Sequence, residues 1–268
     1  MVIFPNCKIN LGLNITGRRS DGYHDIETVF FPVPLHDVLE IIPAKDGIFG
    51  FSSTGLPVPG EAGQNLCARA YRLMQHEFSL PAVKMHLHKV IPMGAGLGGG
   101  SSDGAHALTL LNRLFNLGLT AEQLEDFARH LGSDCAFFIR NSPCYAFEKG
   151  DRFEQVEVDL AGFNLALVIP EVHVSTADAY SFVIPAIPML RIRELVRLPV
   201  NDWKDKLVND FEKPVIVKYP VIGSIKSTLY GAGALYAAMS GSGAAVFALF
   251  AERTPLEELF PGCFVWSA

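Results

Sequence analysis

The chain has 268 residues, 49% of them hydrophobic and 19% charged, with a formal net charge of −6. That length gives room for one large core or two modest ones, and the acidic balance argues against nucleic acid as a partner, which favours a basic face. No apolar stretch approaches the roughly 20 residues of a membrane span, and the N-terminus lacks a secretion-signal pattern. The five cysteines (Cys7, Cys67, Cys135, Cys144, Cys263) lack metal-ligand spacing, so a cytoplasmic globular protein with reduced thiols and no membrane partner is expected.

In chain order, Ile9, Leu11, Leu13 and Ile15 alternate with Asn10, Gly12, Asn14 and Thr16, and Lys8 falls in register with Asn10 and Asn14, which predicts a strand. A turn over Gly17-Arg18-Arg19-Ser20-Asp21-Gly22 precedes Tyr23-His24 and an apolar stretch from Val29 to Val33. Glycine and proline dominate residues 43–63, an irregular hairpin region. A helix is expected from Asn65 to His76. Val83, Met85 and Leu87 then alternate with Lys84, His86 and His88, a half-buried strand. Thr120 and Gln123 make a capping box, followed by an apolar face of Ala121, Leu124, Phe127, Ala128 and Leu131 that closes at Gly132. Ser133-Asp134 leads into the apolar run Cys135 to Ile139. Residues 144–158 are strand-like, Phe163 to Pro170 reads as a buried strand, and a helix-like stretch covers Trp203 to Phe211. A second glycine-rich segment, Ser240-Gly241-Ser242-Gly243, precedes a strand from Val246 to Phe250.

The most informative segment is residues 92–102. Pro92-Met93-Gly94-Ala95-Gly96-Leu97-Gly98-Gly99-Gly100-Ser101-Ser102 follows the strand, and Ala105, Leu108, Leu111 and Phe115 continue at helical spacing. Strand, glycine loop and helix start form a recurring phosphate cradle, because the first helical amides lack intrahelical partners and carry partial positive charge. Ser101 and Ser102 are expected to cap this helix and to offer hydroxyls to a phosphate. Gly94-x-Gly96-x-x-Gly99 formally matches a dinucleotide fingerprint, but a second helix stands where the ribose-binding strand and acid belong. No Gly-Lys-Ser/Thr ends the loop, and the protein-kinase motifs are absent.

Together, the glycine-serine loop, Asp134 after a helix, and the late Ser-Gly-Ser-Gly motif resemble the GHMP kinases, small-molecule kinases of galactose, homoserine, mevalonate and related alcohols. Lys8-Ile9-Asn10-Leu11 with Gly17 to His24 is similar to the branch whose substrate is a cytidine-diphosphate-linked methylerythritol, on the non-mevalonate route to isoprenoid precursors. The matching segments spread from Lys8 to Phe247, while residues 185–235 match no motif. The resemblance implies an α+β, two-domain GHMP kinase fold. Residues 1–155 would form a domain like the second domain of ribosomal protein S5, and residues 156–268 a ferredoxin-like α/β sandwich.

It further implies ATP-dependent phosphorylation of the acceptor's 2-hydroxyl, with ATP and Mg2+ required and no metal ligand named by the sequence. ATP would lay its phosphates on residues 92–102, with Asn65 near the adenine and Lys89 close by. Lys8 and Asp134 match the catalytic pair, Asp134 as base and Lys8 as electrostatic partner. Tyr23 and His24 match residues that hold the cytosine, Asn10 lies near the reacting alcohol, and Thr176 and Tyr180 line the cytidine pocket. Two other readings stay open: a GHMP kinase of another alcohol, and a non-catalytic ATP- or RNA-binding module on the same fold. The sequence does not give the oligomeric state.

Overall fold

The computed structural model describes residues 1–268. The chain opens with a short strand β1 (Val2–Ile3), then two long strands, β2 (Asn6–Arg18) and β3 (His24–His36), and β4 (Val38–Pro43) and β5 (Gly50–Gly55). Helix α1 (Leu66–Phe78), strand β6 (Val83–Lys89) and helices α2 (Gly99–Leu114), α3 (Ala121–Leu131) and α4 (Phe137–Arg140) follow. Strands β7 (Cys144–Phe147), β8 (Arg152–Gln155) and β9 (Asn164–Ile169) lead to short helices α5 (Thr176–Ser181) and α6 (Ile192–Leu195). The chain ends with α7 (Glu212–Lys218), α8 (Pro220–Gly231), β10 (Tyr236–Met239), β11 (Val246–Phe250) and β12 (Phe264–Ser267).

These elements form two compact units, each discontinuous in sequence. The first holds Met1–Lys8, Pro32–Met93 and Gly98–Ser142; the second holds Ile9–Phe31, Gly94–Leu97 and Pro143–Ala268. Strands β2 and β3 and the glycine loop each contribute residues to both units.

In the first unit, strands pair in the order β1-β4-β6-β5, with β5 parallel to β6 and the other pairs antiparallel. The alternation read in β6 is realised: Val83, Met85 and Leu87 are buried. Their polar neighbours meet the hydroxyls of β5, where Thr54 Oγ1 lies 3.0 Å from both His86 Nε2 and His88 Nδ1. The helices α1, α2 and α3 pack on one another, and Cys67, Tyr71, Leu108, Leu111, Leu124 and Leu131 on them are buried.

In the second unit, β10-β11-β9-β12 form an antiparallel sheet. Ile222, Ile225 and Leu229 of α8 recur at helical spacing and bury their side chains with Val168, Ala237, Val246 and Ala248 of that sheet. Each such aliphatic side chain removed from water contributes about 1.5–3 kcal/mol. No helix is long and apolar enough to cross a membrane.

One sequence expectation changes here. The helix expected over Trp203 to Phe211 is a series of turns, and the helices begin at Glu212 and Pro220. The backbone of this stretch is engaged elsewhere: Leu13 N donates to Val208 O and Asp210 N donates to Leu13 O, so residues 208–210 run beside β2. Strand β2 is itself buried on both faces, its polar positions Lys8, Asn10 and Asn14 included.

The capping box of α3 is formed as read. Gln123 N donates to Thr120 Oγ1, and Thr120 N donates to Gln123 Oε1. Thr120→Ala should therefore lower stability by about 1 kcal/mol, measured as a shift in the urea midpoint at unchanged m-value. An unshifted midpoint would show that the box adds nothing in this context.

Candidate active site

The glycine loop obtains its shape from alternating left-handed residues. Gly94, Gly96 and Gly98 have φ of +67°, +79° and +68°, a region that L residues with a Cβ rarely adopt. Gly98 is the N-cap of α2, and no side chain makes the cap bond. The first bond closing the helix is Ser102 N to Gly98 O at 2.9 Å, so the amides of Gly99, Gly100 and Ser101 precede the intrahelical ladder. Ser101 and Ser102, expected as caps, lie inside the first turn instead, and Ser102 Oγ is 3.2 Å from His106 Nδ1. A 16-residue helix with an uncapped first turn fits an anionic group at that end.

Within the second unit, residues 94–97 are braced by the second glycine segment. Ser240 Oγ donates to Gly96 O at 2.9 Å and accepts from Asn10 N at 3.2 Å. Ala245 N donates to Ala95 O at 3.0 Å. Asn209 fixes the bracing segment in turn, its Nδ2 donating to Met239 O and Gly241 O at 2.8 Å each. The approach is so close that a Cβ on Gly96 would stand 2.0 Å from Ser240 O.

Within the first unit, Lys8 and Asp134 meet. Lys8 Nζ is 3.4 Å from Asp134 Oδ2, with side-chain exposures of 4% and 32%. Asp134 sits in a single 3₁₀ turn, Ser133–Cys135, which α3 delivers through Gly132. Gly98 borders the lysine: a Cβ there would lie 3.1 Å from Lys8 Cε and 3.1 Å from Phe138 Cζ. The pair joins a nearly buried cation to a carboxylate that solvent or a ligand can still reach.

Comparison with known proteins identifies the family. The family model for the GHMP kinases N terminal domain matches residues 65–142, and that for GHMP kinases C terminal matches residues 192–260. A protein of Parabacteroides distasonis named 4-diphosphocytidyl-2-C-methyl-D-erythritol kinase is 48% identical over 268 residues, covering 99% of this chain and 98% of its own length. The chain belongs to the GHMP kinases. A Bacteroides fragilis protein of the same name is 51% identical over 261 residues, covering 97% of this chain and 95% of its own. A crystal structure titled 4-(cytidine 5'-diphospho)-2C-methyl-D-erythritol kinase superposes with a TM-score of 0.85 at 29% identity, covering 100% of this chain and 98% of that one. The α+β, two-domain GHMP kinase fold is thus the fold of this chain.

The remaining expected residues fall into separate surroundings. His24 stacks on Tyr180 with ring centroids 4.8 Å apart and planes at 21°, and Tyr180 meets the edge of Phe211. Tyr23 is 63% exposed, with Lys149 Nζ 5.3 Å from its ring centre. Thr176 Oγ1 lies 3.1 Å from Ser242 Oγ, at the second glycine segment. Asn10 is buried, and its Nδ2 donates to Thr28 Oγ1 at 2.9 Å. Asn65 is the N-cap of α1, its Oδ1 accepting from Cys67 N at 2.8 Å. Lys89, expected beside the adenine, has its side chain enclosed between Asp37 and Asp103. Sequence reasoning singled out the Ser240 segment as a motif but not as a brace, and it missed Asn209, which no local pattern marks. No three His, Cys, Asp or Glu side chains are grouped to hold a metal.

Gly96→Ala should lower stability by about 1–3 kcal/mol through backbone strain alone, with the Ser240 clash added. Gly94→Ala, where the nearest atoms belong to the His173 ring at 3.1 Å, should cost less. Urea unfolding of both variants gives the order, and equal losses would remove the brace at Ser240 as the cause.

Proposed function

We propose that this GHMP kinase transfers the γ-phosphoryl group of ATP to the 2-hydroxyl of 4-diphosphocytidyl-2-C-methyl-D-erythritol in the cytoplasm. The acceptor follows from the names of relatives that match nearly the whole chain at about half identity. The observation that carries the chemistry is the Lys8–Asp134 pair, a buried ammonium at 3.4 Å from a half-open carboxylate.

Asp134 takes the hydroxyl proton as the acceptor oxygen bonds to the γ-phosphorus and the bond to the β,γ-bridging oxygen breaks, releasing ADP. Lys8 offsets the charge that spreads over the transferring group. The amides of Gly99, Gly100 and Ser101 hold the phosphates, and magnesium bound with ATP supplies further neutralisation of phosphate charge. Asn65 and Lys89 belong to the nucleotide end, Lys89 acting from behind its carboxylates. Asn10 and Thr176 support the acceptor end. Tyr23 offers an exposed ring face to the cytosine, while His24, backed by Tyr180, offers edge hydrogen bonds.

Asp134→Asn should lower kcat by about 100-fold or more while leaving the KM for ATP nearly unchanged. An ADP-release assay checks it, and near-wild-type turnover would return Asp134 to a turn residue. In the same assay the cytidyl alcohol should far outperform methylerythritol phosphate, because remote binding energy positions the reacting end. Tyr23→Ala should lose about 1–3 kcal/mol of stacking, roughly a 5- to 150-fold drop in kcat/KM, and Tyr23→Phe should keep most activity. Equal use of the two acceptors by the wild type would point to a GHMP kinase of another alcohol.

A further inference from the structure

Three buried charges lie against the start of α2. Lys89 Nζ is 2.5 Å from Asp37 Oδ2 and 2.7 Å from Asp103 Oδ2, and the three side chains are 0%, 0% and 3% exposed. The set ties together both ends of the glycine loop. Asp37 Oδ1 accepts from the amides of Val90 at 2.6 Å and Ile91 at 2.9 Å, the residues that lead out of β6. Asp103 belongs to α2 itself, and its Oδ1 is buried with no hydrogen-bond partner. Gly99 lets the helix start so close to the ammonium, since a Cβ there would lie 3.1 Å from Lys89 Nζ and 2.9 Å from Ile91 Cγ2.

The charges do not balance. Two carboxylates and one ammonium sum to −1, placed behind a helix end that is to receive a polyphosphate. With ATP phosphates on the loop, as proposed above, we infer that Asp37, Lys89 and Asp103 are positioning residues for that loop, and that the polyphosphate binds together with a proton on Asp103. Protonated, the set is neutral and holds the strand end and helix start in place. Ionised, it opposes the incoming anion through a medium that screens poorly.

The surroundings agree. Burial pushes the Asp103 carboxyl up to about 7, with Lys89 pulling it down and Asp37 pushing it further up. Burial would lower the Lys89 ammonium, but the two carboxylates outweigh it and hold it above its usual range. Among the groups around the set, burial pushes the Cys7 thiol, beside Asp37, up to about 12. Burial, helped by the Asp103 charge, pushes the Cys67 thiol of α1 far up, and burial pushes His106, on the same helix as Asp103, down. The protonated fraction of Asp103 falls as pH rises through about 7, so nucleotide affinity falls across the same interval.

The test is calorimetric titration of the whole protein with ADP between pH 6 and 8, in buffers of different ionisation heat. Wild type should take up more protons on binding than Asp103→Asn, in which this position no longer titrates. Its dissociation constant should rise with pH by about 5-fold or more relative to that variant. Protonation of ADP itself is common to both proteins and cancels. Lys89→Met, which leaves two carboxylates facing each other, should raise the KM for ATP about 10-fold with the KM for the alcohol unchanged; if it does not fold, the Asp103→Asn comparison decides alone. Identical proton uptake and pH dependence in wild type and Asp103→Asn would overturn the inference while leaving the phosphate site intact. Failure of ADP to bind wild type at any pH would overturn both.

Discussion

A loop with glycine at five of seven positions has few side chains with which to hold its own shape, so it takes much of that shape from what it touches. Buried side chains accordingly hold the loop and the residues that lead into it. Ser240 grips the carbonyl of Gly96, Asp37 grips the two amides at the loop's entrance, and Gly98 rests against the Lys8 stem and Phe138. The stripped backbone that lets amides approach an anion is therefore stable only because donors and acceptors elsewhere have been committed to it.

That commitment explains why β2 carries polar residues on a face that receives no water. Lys8 meets Asp134, Asn10 supports Ser240 and Thr28, and Asn14 Nδ2 donates to Asp210 Oδ1 at 3.2 Å. Each of these groups, left unpaired in the interior, would cost about 1–3 kcal/mol or more. Paired, they tie successive positions of one strand to different parts of the chain. The alternation of the strand is thus a division between apolar packing on one face and specific polar wiring on the other.

What the sequence disclosed follows how local its physics is. The Thr120–Gln123 box and the strand–loop–helix order around residues 83–115 depend on neighbours a few positions apart, and they form as read. Trp203, Leu207 and Phe211 are also four residues apart, but that spacing deceives. Trp203 Nε1 donates to Leu198 O, and the following backbone runs beside β2, so a tertiary contact overrides a helical pattern. The true helix start had its own local mark, Pro220 at the first turn with Ile222, Ile225 and Leu229 behind it. Among the candidate site positions, Lys8 and Asp134 were legible through resemblance, and the structure brings their side chains together. Asp37, Lys89 and Asp103 could not be linked from sequence, because 52 and 14 residues separate them and only the fold makes them one group.

The threading of the chain has a consequence for how such a protein can be cut and recombined. Because the backbone passes between the two compact units at Lys8, Phe31, Met93, Leu97 and Ser142, no single contiguous stretch of the gene encodes either one. A fragment ending near the middle would lack strands its partner half needs and would carry strands with nothing to pair. A single splice therefore cannot move either unit by itself from one relative to another.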